Sequence, residues 1–299
     1  MIRTVQGTPV PAIGFGTWEL VGDDTVPGVL AALELGYRHL DTAQVYENEA
    51  EVGAALASSG VDRDDVFLTT KVWTDNLTPE LIETSTHESL RKLGVDHVDL
   101  LHYHWPVGLD RLEANLEAFV RLRDAGVTRH IGVSNFTPDL LTRALAVAPV
   151  FSLQVEHHAY LAQPELLAMC AEHDLLFTAY SPLARGELLD DPAVRSIAEE
   201  RGATAAQVLL RWILDEGDHV SVIPKATARE RIAENLAALD VELTDGEIQA
   251  MLAARGNRRE VLGRILDACY EAQLNGAFAT LEEGIAFAVK RLPKPHPLV

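Results

Sequence analysis

The stretch VFLTTKVWTDNLTPELIETSTHESLRKLGVDHVDLLHYHWP, residues 66–106, contains one complete strand-helix-strand unit. Its two apolar runs, VFLTTK (66–71) and VDLLHY (98–103), have the length and composition of buried strands. Between them, Thr78-Pro79-Glu80 places a hydroxyl at the cap of a helix and a carboxylate in its first turn. This order of elements predicts two parallel strands that are joined by a crossover helix.

The same alternation continues through most of the chain. Six further apolar runs are predicted strands: GFGTW (14–18), YRHLD (37–41), RHIGVS (129–134), FSLQVE (151–156), LLFTAY (175–180) and HVSVIP (219–224). Eight strands that alternate with helices predict a (β/α)8 TIM barrel, an α/β fold that a chain of this length can form as one main domain. Ahead of the first barrel strand, VQGTPVPAIG (5–14) has a Gly-Thr turn between two extended pieces. It predicts an N-terminal β-hairpin that closes the floor of the barrel.

The end of the chain differs in composition from the rest. Residues 261–299 hold four basic and four acidic residues, so the whole net charge of -20 belongs to residues 1–260. Apolar residues at helical spacing predict two helices there, separated by a turn at Asn275-Gly276. We therefore predict a barrel over 1–260 and an extra C-terminal helical segment over 261–299, packed on or beside the barrel. A dimer contact and a cover for the active site are alternative roles for this segment.

Composition excludes several classes of partner. The chain has 25 basic and 45 acidic residues, whereas nucleic-acid binding needs clustered Lys and Arg. No apolar run is long enough to span a membrane, and the N-terminus lacks the layout of a signal peptide, so we expect a cytoplasmic protein. Cys170 and Cys269 have neither CxxC spacing nor a secretory context, which predicts reduced thiols in the core.

Four polar residues lie at or just beyond the ends of successive predicted strands: Asp41, Tyr46, Lys71 and His104. In a parallel barrel these positions meet on one face. A tyrosine hydroxyl has a pKa near ~10, and a nearby cation such as Lys71 would stabilise its phenolate. Asp41 would hold that ammonium group in place, and His104 would hydrogen-bond an incoming carbonyl oxygen. The four residues therefore predict an enzyme that protonates an oxygen.

Protonation of a carbonyl oxygen is half of a reduction, and the hydride for the other half must come from a cofactor. A GxGxxG loop is absent from the expected turn, so a Rossmann domain is excluded. The later strands offer groups for a nicotinamide dinucleotide instead. Hydroxyl and amide groups for a carboxamide are offered by Ser134, Asn135 and Gln154. Tyr180 offers a flat ring for the nicotinamide. Lys225 and Arg231 offer cations for a phosphate.

Two other groups of residues lie at the same end of the predicted barrel. Trp18, Trp73 and Trp105 each lie at or just beyond the end of a predicted strand, which predicts aromatic walls for a substrate pocket. His102 and His104 alternate on one strand and suggest a zinc site, but no third ligand has the required spacing. We therefore predict no metal.

Six motifs in this order resemble the aldo-keto reductase family: YRHLDTAQVYENE, TTKVW, VDLLHYHWP, IGVSNF, AYSPL and IPKATARERIAEN. The resemblance covers residues 1 to about 255, and the chain is similar to compact prokaryotic-type, 2,5-diketo-gluconate reductase-like members. It implies a barrel that binds NADP(H), with NAD(H) as an alternative, and that transfers hydride to an aldehyde or ketone. The catalytic tetrad would be Asp41, Tyr46 as the general acid, Lys71 and His104.

The resemblance also implies further cofactor contacts. Ser181 and Leu183 would line the pyrophosphate, and Glu234 and Asn235 the adenine. Many relatives have Ser or Asn directly after the phosphate-binding lysine, whereas this chain has Ala226. That difference removes one donor to the 2′-phosphate, so we expect NADPH preference with weakened discrimination against NADH.

The predicted function is NADPH-dependent reduction of a small carbonyl substrate by a monomer or weak homodimer. One alternative is a non-catalytic, NADPH-binding regulatory subunit on the same fold, which would bind the cofactor without turnover. Another is an isomerase or aldolase that uses Lys71 as a Schiff base. That enzyme would act without a cofactor, and borohydride would trap its substrate.

Overall fold

A computed structural model of the chain describes residues 1–251. Its first two strands, β1 (Ile2–Val5) and β2 (Thr8–Pro11), pair antiparallel. The turn between them is formed by Gln6 and Gly7, with φ of 46° and 77°. Positive φ at both positions matches the twist of the flanking strands. The predicted hairpin is confirmed, although its turn begins one residue earlier than the Gly-Thr pair.

Eight parallel strands follow in chain order and form one curled sheet. The first and last of them meet through Gly14 N to Val222 O at 2.8 Å and Gly16 N to Pro224 O at 3.1 Å. Glycines at positions 14 and 16 let these two edges of the sheet approach closely. Because the bonds between them close the sheet, the predicted TIM barrel is confirmed. The strands are β3 (Phe15–Gly16), β4 (His39–Asp41), β5 (Phe67–Val72), β6 (Val98–Tyr103), β7 (Thr128–Ser134), β8 (Val150–Glu156), β9 (Leu176–Tyr180) and β10 (Val220–Val222).

Helices connect the strands. The expected cap at Thr78 is present, since its hydroxyl accepts from Leu81 N at 3.3 Å, and Thr137 caps another helix in the same way by accepting from Leu140 N at 3.4 Å. The α-helices within the described range are α1 (Thr25–Leu35), α2 (Glu49–Ser58), α3 (Pro79–Leu93), α4 (Leu112–Asp124), α5 (Pro138–Leu145), α6 (Pro164–Glu172), α7 (Pro192–Arg201), α8 (Ala205–Leu214) and α9 (Arg229–Leu236).

The floor of the barrel is sealed by the hairpin. Val5 and Val10 form a buried cluster with four residues of the barrel strands or their ends, Phe67, Leu100, Phe151 and Leu176. Arg3 fixes the hairpin to the barrel, because its guanidinium donates to Leu214 O at 2.5 Å and to Val220 O at 2.9 Å. With the amino ends of the strands closed in this way, a ligand must enter at the opposite end.

Two histidines are buried inside the barrel. His39 and His102 each lie against a glycine. A Cβ atom on Gly132 would lie 1.8 Å from His102 Cδ2, and one on Gly14 would lie 2.7 Å from His39 Nδ1. Both glycines are therefore required by the histidine rings beside them.

Residues Met1–Thr244 form one compact unit, and Asp245–Val299 form a second, which is described only to Met251. The predictions for 261–299 and for Cys269 lie outside the described residues and stay predictions. Cys170 is a buried, unpaired thiol in α6, and burial raises its pKa to about 12. Among residues 1–251, no helix is both long and apolar enough to cross a membrane.

Candidate active site

The four predicted catalytic residues meet at the open end of the barrel. Asp41 is the last residue of β4, Lys71 lies near the end of β5, and His104 directly follows β6. Tyr46 ends a short 3-10 helix, Gln44–Tyr46, that follows β4. The carboxyl ends of parallel strands share one face, which explains why residues distant in sequence become neighbours here.

Lys71 is the centre of this group. Its side chain is fully buried, and Nζ donates to Asp41 Oδ1, to Thr42 O at 2.9 Å and to Tyr46 OH at 3.4 Å. An ammonium group has three protons, so each has an acceptor. Burial acts to lower the pKa of Lys71, but Asp41 and then Tyr46 outweigh it, and the pKa is raised. Lys71 therefore carries its charge at neutral pH.

Tyr46 lines the cleft, and its ring lies beside Lys71, whose Nζ is 5.0 Å from the ring centroid. Burial raises its pKa, while Lys71 acts to lower it and Asp41 acts to raise it. Lys71 thus has the predicted direction of effect, but burial is the larger influence. The hydroxyl is protonated at neutral pH, which is the state that a proton donor needs.

His104 completes the donor side of the cleft. Its ring packs edge-on against Tyr46, at 5.8 Å between centroids, and against Trp73, at 5.2 Å. Burial and then Lys71 lower the pKa of His104 to about 3. At neutral pH the imidazole is uncharged and offers one N–H to a ligand without adding a positive charge.

Side chains from later strands are hydrogen-bonded to this group. Gln154 Nε2 donates to Asp41 Oδ2 at 2.8 Å, and Asn135 Nδ2 donates to His104 O at 3.1 Å. Tyr180 OH donates to Asn135 Oδ1 at 2.9 Å, and burial raises the pKa of Tyr180 to about 12. Asn135 reaches these partners from a left-handed backbone with φ of 65°, which asparagine tolerates better than most residues. The residues predicted for proton transfer and those predicted for cofactor binding therefore form one connected network.

A cleft of about 970 Å³ runs from these residues to the corner beyond β10. Three predicted residues do not line it: Lys71, Ser134 and Glu234. Lys71 and Ser134 lie buried behind its wall, and Glu234 forms an ion pair with Arg231 at 3.9 Å. The cleft is lined by the other predicted site residues: Trp18, Asp41, Tyr46, Trp73, His104, Trp105, Asn135, Gln154, Tyr180, Ser181, Leu183, Lys225, Arg231 and Asn235.

Four residues of the site were missed at the sequence level: Thr42, Gln44, Asn48 and Arg185. Thr42 supplies a carbonyl to Lys71, and the Arg185 guanidinium lies 4.8 Å from the ring centroid of Trp18. Gln44 and Asn48 bond to the loops that carry the tryptophans. Three of the four lie within the quoted run YRHLDTAQVYENE, where polar residues on both sides of Tyr46 were the available signal.

The histidines considered for zinc do not form such a site in the described structure. His102 is buried against Gly132, below the cleft. Within residues 1–251, no group of three or more His, Cys, Asp or Glu side chains could hold a metal ion.

Comparison with known proteins identifies close relatives. The sequence model of the Aldo/keto reductase family matches residues 12–255. An aldo-keto reductase of Mycolicibacterium smegmatis is 41% identical over 258 residues, which are 85% of this chain and 93% of the relative. Methylglyoxal reductase DkgB of Escherichia coli O157:H7 is 41% identical over 257 residues, 84% of this chain and 96% of the relative. A crystal structure provisionally named as a 2,5-diketo-D-gluconic acid reductase B is 42% identical, with a TM-score of 0.82 over 85% of this chain and 91% of that one.

Proposed function

Because the chain belongs to the aldo/keto reductase family, we propose that it reduces an aldehyde or ketone to an alcohol with NADPH, with Tyr46 as the general acid. The observation that carries this proposal is the set of three acceptors around Lys71 Nζ: Asp41, Thr42 and Tyr46. The E. coli relative is named a methylglyoxal reductase, so a small dicarbonyl is the first substrate to test.

The residues of the cleft fit a nicotinamide dinucleotide. Ser134 Oγ is buried and has no hydrogen-bond partner within residues 1–251. An unsatisfied buried polar group costs ~1–3 kcal/mol, and next to Ser134 the amide groups of Asn135 and Gln154 line the cleft, where they can hydrogen-bond to a carboxamide. Tyr180 offers its ring to the same part of the cleft, and Lys225 and Arg231 are exposed at the far end, where they suit a phosphate. The bound cofactor would supply the hydride.

The side chains of the tetrad would then deliver the proton. Tyr46 would donate its hydroxyl proton to the carbonyl oxygen, and the neutral imidazole of His104 would hold that oxygen by a hydrogen bond. Lys71 would stabilise the phenolate that remains, since its ammonium group already contacts the Tyr46 oxygen. A positioned general acid contributes ~10²–10⁴-fold to a rate.

The structure disfavours Lys71 as a Schiff-base lysine. A Schiff base needs a neutral amine that reaches the substrate. Lys71 is charged, fully buried and absent from the lining of the cleft. The experiment below distinguishes a protein that only binds the cofactor from one that reduces a carbonyl substrate.

The corner beyond β10 supports a proposal about cofactor preference. Lys225 and Arg231 both line the cleft there and would attract a 2′-phosphate, whereas Ala226 between them offers no side-chain donor. We therefore propose that NADPH is preferred and that NADH is also accepted.

The test is Tyr46→Phe, measured by NADPH oxidation with methylglyoxal. We expect kcat to fall ~10²–10⁴-fold, because the donor is lost, while the Kd for NADPH changes by less than about twofold. The matched control is Tyr103→Phe, which removes a buried hydroxyl that donates to Val107 O at 2.6 Å outside the cleft. This control should keep its activity.

Three results would change the proposal. A Tyr46→Phe enzyme with most of its activity would mean that another group donates the proton. Wild-type protein that binds NADPH but reduces no aldehyde or ketone would favour the regulatory subunit. A strong preference for NADH would overturn the cofactor assignment.

A further inference from the structure

Gln44 connects the turn that carries Tyr46 to the loop that carries Trp73. Its Oε1 accepts from Trp73 N and from Asn76 Nδ2, both at 2.9 Å. Its Nε2 donates to Ser89 Oγ at 3.2 Å, on α3. One side chain thus fixes the loop after β5 to the turn after β4.

Asn48 makes the corresponding connection on the other side of Tyr46. Its Nδ2 donates to Thr17 O at 2.9 Å and to Leu20 O at 3.0 Å, and its Oδ1 accepts from Thr42 Oγ1 at 2.8 Å. In the sequence, Trp18 lies between Thr17 and Leu20, the two residues whose carbonyls Asn48 binds. The loop that carries Trp18 is therefore held to the same turn.

These bonds matter because the turn contains a strained residue. Glu47, directly after Tyr46, has φ of 56°, a left-handed conformation that costs a non-glycine residue free energy. Such a conformation persists only where the surroundings enforce it, and Gln44 and Asn48 supply bonds on both sides. Movement of the Trp73 loop would also reach the site directly, since His104 packs edge-on against both Trp73 and Tyr46.

We propose that Gln44 and Asn48 are positioning residues that set the width of the substrate cleft on the two sides of Tyr46. Gln44 fixes the Trp73 wall, Asn48 fixes the Trp18 wall, and together they select carbonyl substrates by size. The inference rests on the proposed function, in which Tyr46 is the proton donor. Neither residue lines the cleft, so neither should affect cofactor binding.

The test is Gln44→Leu, which keeps the volume of the side chain and removes its hydrogen bonds. We expect kcat/KM for methylglyoxal to fall ~10- to 100-fold, because misplaced groups lose the productive geometry. A bulky aromatic aldehyde should lose less, so the ratio of the two substrates should shift about tenfold while the Kd for NADPH stays constant. Gln44→Glu keeps the oxygen that accepts from Trp73 N and Asn76 Nδ2, and it should restore the wild-type ratio.

Two controls separate positioning from general stability. Gln6→Leu is the same substitution on the floor of the barrel, where Gln6 Nε2 donates to Val150 O and Asp174 O at 3.1 Å each. It should lower stability without moving the substrate ratio. In a Trp73→Ala enzyme the wall is gone, so adding Gln44→Leu should change the ratio no further. If Gln44→Leu does not fold, Gln44→Met removes the same hydrogen bonds.

The outcomes are distinct. The positioning role would be refuted if Gln44→Leu lowered kcat/KM equally for both aldehydes. It would also be refuted if Gln6→Leu shifted the substrate ratio as much as Gln44→Leu does, or if Gln44→Leu shifted that ratio fully in the Trp73→Ala background. An inactive wild-type protein would instead refute the proposed function.

Discussion

Asp41→Asn is the substitution that most directly tests the arrangement around Lys71. Asp41 is buried, and its two oxygens accept from Lys71 Nζ and from Gln154 Nε2. Asparagine has one carbonyl oxygen and one amide group, so one of these contacts would place a donor against a donor. The substitution also removes the negative charge beside a buried ammonium group.

The size of the effect follows from this geometry. Removing one partner of a buried ion pair destabilises a protein by ~3–5 kcal/mol, because the other charge stays buried without compensation. Lys71 can escape part of that cost by losing its proton, since Asp41 is the largest influence that raises its pKa. We expect the variant to lose ~3–5 kcal/mol of unfolding free energy at neutral pH.

The Lys71 contribution to the unfolding free energy should change with pH in opposite directions in the wild type and in Asp41→Asn. In the wild type the folded pKa of Lys71 is raised, so its contribution is complete below the unfolded value of ~10.4 and is lost as pH rises through the folded pKa. In Asp41→Asn, burial would lower the folded pKa below ~10.4. The variant should therefore regain stability as pH rises from neutral towards ~10.4, by up to ~1.4 kcal/mol per pH unit.

Urea unfolding between neutral and alkaline pH, followed by tryptophan fluorescence, measures both effects. The matched control is Asp99→Asn, because Asp99 is also buried but pairs with arginines, Arg63 at 2.9 Å and Arg129 at 3.0 Å. Arginines keep their protons throughout, so the control should lose stability without an alkaline recovery. If the loss of unfolding free energy in Asp41→Asn, relative to the wild type, does not shrink as pH rises, Lys71 is not the titrating group and the reasoning fails.

Two further predictions concern single positions. Ala226→Ser should lower the Kd for NADPH ~3- to 10-fold, because it adds one hydrogen-bond donor beside Lys225, and should leave the Kd for NADH unchanged. The ratio of the two Kd values measures this effect, and an equal fall in the Kd for NADH would contradict it. Gly132→Ala should destabilise the barrel by ~1–3 kcal/mol, because its Cβ would overlap His102. Adding His102→Ala should recover part of that loss in urea unfolding, whereas simple additivity of the two changes would contradict the contact.

The barrel was predictable because its signals are local and repeated. Each strand is a short apolar run, the observed strands end within two residues of the predicted ones, and their order fixes which ends share a face. The tetrad could be predicted for the same reason. Asp41, Lys71 and His104 occupy equivalent positions in successive units, so topology alone brings them together.

The remaining features depend on distances that the sequence does not encode locally. Gln44 binds a main-chain N–H of Trp73, and any residue type at position 73 other than proline would offer that group. The pKa of Tyr46 depends on how burial compares with the effect of Lys71, and only the folded structure gives that balance. The pairing of Glu234 with Arg231 likewise reflects side-chain placement on α9.

Two hydrogen bonds join the residues proposed for proton transfer to the proposed nicotinamide site, and they have a consequence for the proposed mechanism. Asp41 uses one oxygen for Lys71 and the other for Gln154, so movement of Gln154 by a bound carboxamide would be felt at the group that holds Lys71. Asn135 joins Tyr180 to the carbonyl of His104 in the same way. The position of the proposed proton donor would thus depend on the filling of the proposed cofactor site. In the proposed reaction, this link would couple the position of Tyr46 to the presence of the hydride donor.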